Sequence, residues 1–376
     1  MFKKLLLNLF RIIIKFTYYV FFVFIPKKNI IIGGYKARFL SGNNLYLFNF
    51  LNSQNLNSNY FFYTKSKKTY KLLKKKYPRK ILYAYNLTTI LKLFQAKILI
   101  ITTGTDDFSP YPLLKKAIII NLWHGIPIKK IGSTENFSDT KLSRNIDYFS
   151  VSSEFEATIM KTVFNLPDNK IFISGLAKND YIKYRFKFFL SKNPYLKRTV
   201  IIYAPTFREK SQKTKSLSDI FPIQKLQNLL EKYNAVFLYR NHFNSSEQKI
   251  SKQYNRILSA PPSIFQDVQP LLFFSDILIT DYSGIYFDYL LLNRPIIFYN
   301  YDYEEYEKSR GFLFDYYKNT PGEKVQTKER IVNVIEDYLI DSDKDKEFRE
   351  IITKKFHKYR DGKNSERIYE LIKKLL

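Results

Sequence analysis

His124, His242 and His357 are the only imidazoles in a sequence of 376 residues that has no cysteine. Thiol nucleophiles, thiolate zinc sites, iron–sulfur clusters and a disulfide framework are thereby excluded. So few histidines also argue against a histidine-rich metal centre, and no metal or cofactor is expected. His124 stands in Asn121-Leu122-Trp123-His124-Gly125-Ile126-Pro127, directly behind the apolar run Ala117–Leu122. A strand that ends at glycine and proline puts the imidazole on a loop at the carboxyl edge of a sheet, where open α/β folds bind ligands. There it could take a proton from an attacking hydroxyl, or it could simply pack the loop. Trp123 and Gly125 flank it. His242 closes Tyr239-Arg240-Asn241-His242, again behind an apolar run. Arg240 offers a planar cationic fork for a phosphate, and His242 a donor to a phosphate oxygen or leaving group. Taken alone, an Arg-x-His pair reads more simply as structure; its force comes from mirroring His124. His357, among Lys354, Lys355 and Lys358, reads as a solvated helix residue.

Two further loops carry polar groups. Ser275–Gly284 followed by Ile285–Leu292 reads as strand, tight loop and helix, with Thr280, Asp281, Tyr282 and Ser283 in the turn. Ser283 suits a helix N-cap, and the N–H groups after it would form an anion site of the kind that holds pyrophosphate; an ordinary capped βα loop has the same spacing. Thr199–Glu209 is another strand running into a polar loop, in which Thr206 and Arg208 could meet phosphate or ribose. Arg310-Gly311 follows the acidic aromatic run Tyr301–Glu307 and could add one more cation. The sequence contains no GxGxxG, Walker GxxxxGK, HExxH or GxSxG pattern, so hydride transfer, P-loop ATPase chemistry, zinc proteolysis and serine hydrolysis lack their usual anchors.

The elements that would position these loops alternate. Strand-like runs at Asn29–Gly33, Tyr60–Thr64, Lys97–Thr102, Ala117–Leu122 and Tyr148–Val151 are separated by helix-length stretches. A second series follows at Thr199–Tyr203, Ala235–Tyr239, Arg256–Leu258, Ile277–Thr280 and Pro295–Tyr299. Such alternation predicts βαβ units with parallel sheets. A lysine-rich aromatic stretch, Lys183–Arg198, marks the boundary between two α/β domains. The expected organisation is residues 1–28 as an amphipathic helix, 29–190 and 198–330 as two Rossmann-like domains, and 331–376 as C-terminal helices.

Lys and Arg number 62 against 34 Asp and Glu, a net charge of +28, while 45% of the residues are hydrophobic. The chain can build real cores, and its charge suits a polyanionic partner: a phosphate-bearing substrate, an anionic membrane or nucleic acid. Residues 5–25 are apolar enough for a span, but Lys4, Asn8, Arg11 and Lys15 form one helical stripe. That pattern predicts a helix lying in the interface at an anionic membrane surface; a core helix and a true span are the alternatives. No nucleic-acid-binding module is recognisable.

Several segments together resemble the CDP-glycerol glycerophosphotransferase family of teichoic acid and capsule biosynthesis: NLWHGIPIKKIG (121–132), YAPTFRE (203–209), YRNH (239–242), SDILITDYSGIYFDYLLLNRPIIFY (275–299) and YDYEEYEKSRGFLFDY (301–316). The resemblance implies a GT-B-like α/β fold with two Rossmann-like domains facing a cleft. It implies a peripheral enzyme on the cytoplasmic face of the plasma membrane that moves glycerol phosphate from CDP-glycerol to a lipid-linked saccharide acceptor and releases CMP. The family's two essential histidines fall on His124 and His242. Donor contacts would map to Thr206, Arg208, Arg240, Thr280, Asp281, Tyr282, Ser283, Arg310 and Gly311, with Trp123 and Gly125 on the acceptor side. Ile126 stands where the family commonly has Thr, and Gly284 where it has a second Ser. CDP-ribitol as donor, and a GT-B nucleotide-sugar glycosyltransferase, are the alternatives; a basic nucleic-acid-binding protein is a remote one.

Overall fold

Runs such as Asn-Ile-Ile-Ile and Ala-Lys-Ile-Leu-Ile-Ile have no polar face to offer water, so they are stable only as sheet strands covered on both sides. The computed structural model, which describes residues 2–54, 59–112, 117–135, 145–183, 198–206, 216–240 and 253–376, places them so. The first sheet holds β1 (Asn29–Ile32), β2 (Asn59–Thr64), β3 (Ile81–Tyr83), β4 (Ala96–Ile101), β5 (Ile118–Asn121), β6 (Tyr148–Val151) and β7 (Ile171–Ile173). Their order is β3-β2-β1-β4-β5-β6-β7, and every pairing is parallel. The second sheet holds β8 (Thr199–Tyr203), β9 (Ala235–Tyr239), β10 (Ile257–Ser259), β11 (Ile277–Thr280), β12 (Ile296–Tyr299) and β13 (Glu323–Val325). It repeats the pattern as β10-β9-β8-β11-β12-β13, again all parallel. In each sheet the strand order reverses once, between β1 and β4 and between β8 and β11. Loops at the carboxyl ends of those strands border the crevice where such sheets bind ligands.

The chain divides into two units, one comprising Met1–His124, Asn136–Asp180 and Asp361–Leu376, the other Gly125–Glu135 and Tyr181–Arg360. Two features depart from the sequence-based organisation. The strap Gly125–Glu135 belongs to the second unit, although it directly continues the loop after β5. The residues beyond 331 are no single block either: the helices Lys328–Ile340 and Lys346–Phe356 stay with the second unit, and the helix Asn364–Leu375 joins the first. There Ile368 and Ile372 enter the core formed by Ile30, Ile32, Leu47, Phe48, Ile98 and Ile100. The buried Asp180 carboxylate accepts the N–H groups of Asn364 and Ser365, each at 2.7 Å, which satisfies two orphan donors of the helix start.

Arg11 of the N-terminal helix Phe2–Thr17 reaches the Pro110 carbonyl at 3.1 Å. Tyr18, just past that helix, is buried against Phe94. The opposite face, Leu5, Leu6, Leu9, Ile12, Ile13 and Phe16, is exposed, and only 6% of Leu5–Phe22 is buried. This is no core helix. Part of its polar stripe, Arg11, faces the protein rather than solvent.

His357 contradicts the solvated reading. It is 3% exposed, and its Nε2 lies 2.8 Å from the Phe287 carbonyl. At the end of the helix Lys346–Phe356 it packs onto the helix Ile285–Leu290, where Thr353 also donates to the Leu290 carbonyl. Surrounding lysines read as solvation in sequence because they occupy the other side of the same turn.

If the last helix is part of the first unit, Ile372→Ala should cost about 3 kcal/mol, read from urea unfolding. A loss near zero would mean that the helix is only an appendage.

Candidate active site

In the first unit the loop after β5 carries the chemistry. The His124 ring is exposed, and its Nδ1 lies 3.3 Å from the Thr102 carbonyl in the loop after β4. A carbonyl only accepts, so Nδ1 carries the proton in this pair and Nε2 is the lone-pair nitrogen. The backbone is fixed from beneath. Asn43 Nδ2 donates to the carbonyls of Leu122 at 2.9 Å and Trp123 at 3.0 Å, and Asn43 Oδ1 accepts the Lys178 N–H at 3.1 Å. Lys178 Nζ donates to the His124 carbonyl at 3.3 Å. These bonds hold Trp123 at φ +50°, a conformation that a bulky residue adopts only when its surroundings impose it. The Trp123 ring lies 4.3 Å from the imidazole and packs on Phe149 and Phe164. The loop after β4 is held by the buried Asp107 carboxylate, which accepts the N–H groups of Thr102, Thr103 and Lys36.

None of Asn43, Lys178, Thr102 or Asp107 was singled out from sequence. Asn43 had a usable signal: an Asn-Asn pair opening a helix next to the Gly33-Gly34 loop. Lys178 had none, because it reaches His124 across 54 residues.

In the second unit the loops after β8 and β11 meet at the switch point. Thr206 donates from its N–H at 2.8 Å and from Oγ1 at 2.6 Å to one oxygen of the fully buried Asp281 carboxylate. The Tyr282 N–H donates to the same oxygen at 2.6 Å. Thr280 Oγ1 donates to the Ala204 carbonyl at 2.8 Å. Tyr282 is buried, stacks on Tyr306 at 3.9 Å and donates to Asp302 at 3.0 Å. Burial first, then the Asp302 and Asp281 charges, hold its phenol pKa far above the ordinary value, so it stays a neutral donor. The strap Gly125–Glu135 lies beside these loops: Leu313 N–H donates to the Ile128 carbonyl at 2.9 Å, Lys130 N–H to the Gly311 carbonyl at 3.2 Å, and Lys129 bridges Phe312. Arg310, half-buried, ends the helix Tyr303–Arg310.

The sequence-derived residues thus fall into three groups. Thr206, Thr280, Asp281, Tyr282 and Ser283 come together around the switch point, and Gly311 joins the strap. Arg240 is anchored on one side of its guanidinium: its Nη1 donates to the carbonyls of Ala260 and Phe265, and burial pulls its pKa down to about 10. Ser283 makes a capping bond, its Oγ accepting the Ile285 N–H at 3.4 Å. The helix begins after Gly284. The N–H groups of Ile285, Tyr286 and Phe287 are taken by Ser283 Oγ, the Ser283 carbonyl and the Gly284 carbonyl at 3.4, 3.5 and 3.3 Å. The free amides expected for an anion are therefore occupied at those positions. His242 and Arg208 lie outside the described residues. Among the described residues no cluster of three His, Asp or Glu side chains could hold a metal ion.

The family model for CDP-Glycerol:Poly(glycerophosphate) glycerophosphotransferase matches residues 15–374. The chain belongs to this family. Its reaction is transfer of glycerol phosphate from CDP-glycerol. It is 28% identical over 315 residues to a teichoic acid glycerol-phosphate transferase of Staphylococcus aureus (strain NCTC 8325 / PS 47), covering 77% of this chain and 79% of that relative. To a teichoic acid poly(ribitol-phosphate) polymerase of Bacillus spizizenii (strain ATCC 23059 / NRRL B-14472 / W23) it is 31% identical over 287 residues, 71% of this chain but 45% of the polymerase. A solved variant of the wall teichoic acid polymerase TagF shares the fold with a TM-score of 0.79 at 21% identity, covering 99% of this chain and 97% of that one. The fold is accordingly the GT-B-like pair of Rossmann-like units.

Asn43→Ala removes both bonds that hold the Leu122 and Trp123 carbonyls. It should lower kcat for CMP release on the order of 10²-fold through displacement of His124, with little change in KM for the donor. An unchanged kcat would show that Asn43 does not position the loop.

Proposed function

We propose that His124 is the general base that activates a hydroxyl of a lipid-linked saccharide acceptor for attack on the β-phosphorus of CDP-glycerol. The observation that supports this reading most is the contact of Nδ1 with the Thr102 carbonyl, which leaves Nε2 as the proton acceptor on an exposed ring at the carboxyl edge of β5. In the step, the acceptor oxygen bonds to the β-phosphorus while its proton passes to Nε2. The bond from that phosphorus to the bridging oxygen breaks, and CMP departs with the electron pair. Phosphoryl transfer of this kind depends on positioning and on neutralising charge at the phosphoryl oxygens. His242 serves at the transferred phosphate as acid or electrostatic partner, and Arg310 adds positive charge. The Thr206–Asp281 pair fixes the two donor loops against each other.

A lipid-linked acceptor requires a membrane surface. The outward apolar face of the helix Phe2–Thr17 supplies one means of attachment, since each fully buried Leu, Ile or Phe side chain contributes about 1.5–3 kcal/mol. Exposed Lys67, Lys68, Lys71, Lys74, Lys75 and Lys76 on the helix Lys67–Lys76 supply the attraction to anionic headgroups. The chain then sits peripherally on the cytoplasmic face of the plasma membrane.

His124→Ala should reduce CMP release from CDP-glycerol at least about 10²-fold, and His242→Ala should also reduce it; near-normal turnover in both variants would end the assignment. Offering CDP-glycerol, CDP-ribitol and UDP-sugars with a synthetic lipid-linked acceptor, and weighing the products, should give glycerol phosphate addition. A ribitol phosphate product, or a sugar added without phosphate, would replace the donor named here. Leu9→Glu with Ile13→Glu should abolish co-flotation with vesicles of phosphatidylglycerol; undiminished flotation would remove the helix from the membrane contact.

A further inference from the structure

We infer that Gly284 is a positioning residue for His124, acting through the strap that follows it. This rests on the reading of His124 as the base. The backbone at Gly284, φ −62° and ψ −1°, is open to any L-residue, so nothing in its conformation calls for glycine. The requirement comes from space: a Cβ built there would fall well inside van der Waals contact with the carbonyl oxygen of Ile126. Ile126 is 2% exposed, so its side chain is buried and its carbonyl has no easy retreat. Four residues on, the strap is fixed again. The Lys130 N–H meets the Gly311 carbonyl, and Gly311, at φ +60°, lies against the Lys130 side chain in a conformation that L side chains rarely adopt. The first half of the strap is therefore seated on glycines at Ile126 and Lys130, with the Ile128–Leu313 bond and the Lys129–Phe312 bridge between them.

The residue that precedes this strap is His124. Consecutive Cα atoms are ~3.8 Å apart, so two peptide units tie the His124 backbone to the carbonyl that rests on Gly284. A side chain at 284 would force the Ile126 carbonyl outward by about an ångström, and a displacement of that size at a catalytic group costs on the order of 10²-fold in rate.

The test is Gly284→Ala in the full chain. Hydrogen exchange at the Lys130 and Leu313 amides should become at least about tenfold faster. kcat for CMP release should fall on the order of 10²-fold, with KM for CDP-glycerol changed less than about threefold, the signature of a lost transition-state arrangement rather than lost binding. Wild-type exchange at both amides, or wild-type kcat, would overturn the proposal. If Gly284→Ala does not fold, Ile126→Ala loosens the same contact from the strap side and should show the same exchange and kcat changes. Failure of the wild-type protein to release CMP from CDP-glycerol would sink the reading of His124, whereas the exchange measurement would still decide whether Gly284 seats the strap.

Discussion

A carbonyl cannot donate, and the pairing of His124 Nδ1 with the Thr102 carbonyl therefore decides which ring nitrogen can receive a proton. Much of the first unit is arranged around that contact. Asp107 holds the loop that presents the carbonyl, Asn43 and Lys178 hold the loop that presents the ring, and Trp123 is kept in a conformation it would not choose. The polar side chains involved are buried and bonded mainly to backbone rather than to each other. Such bonds set positions in space.

The second unit uses the same sheet topology with different chemistry at its switch point. There a buried carboxylate gathers three donors from two loops. Asp281, Thr280 and Tyr282 are thereby committed to holding the two loops together. Strand order alone brings these loops together: β8 and β11 are neighbours although 73 residues separate Tyr203 from Ile277.

Strand runs that are continuously apolar, such as Ile277–Thr280, were legible because only a doubly covered sheet accommodates them. The three-residue edge strands Ile81–Tyr83, Ile171–Ile173 and Glu323–Val325 were not, being too short to show a pattern and dependent on a neighbour for their conformation. The placement of His124 at a strand end was readable from the glycine and proline behind it. Its supports were not, since Asn43 and Lys178 reach it only through folding. The backbone partners of Arg240 Nη1 and of the amides after Ser283 were hidden for a related reason: a sequence shows which groups can bind phosphate, but not which bonds the fold already gives them. The return of the last helix to the first unit was hidden too, because an amphipathic helix carries no mark of the core it will join.

Only three histidines are present, so uniform ¹⁵N labelling of histidine gives a spectrum simple enough to assign by single substitutions. At a pH where the ring is neutral, two-bond ¹⁵N–¹H correlations of His124 distinguish the tautomers directly. The expected result is a protonated Nδ1 with Nε2 as the pyridine-like nitrogen. A protonated Nε2 would place the hydrogen on the nitrogen that must accept one, and would contradict His124 as the base.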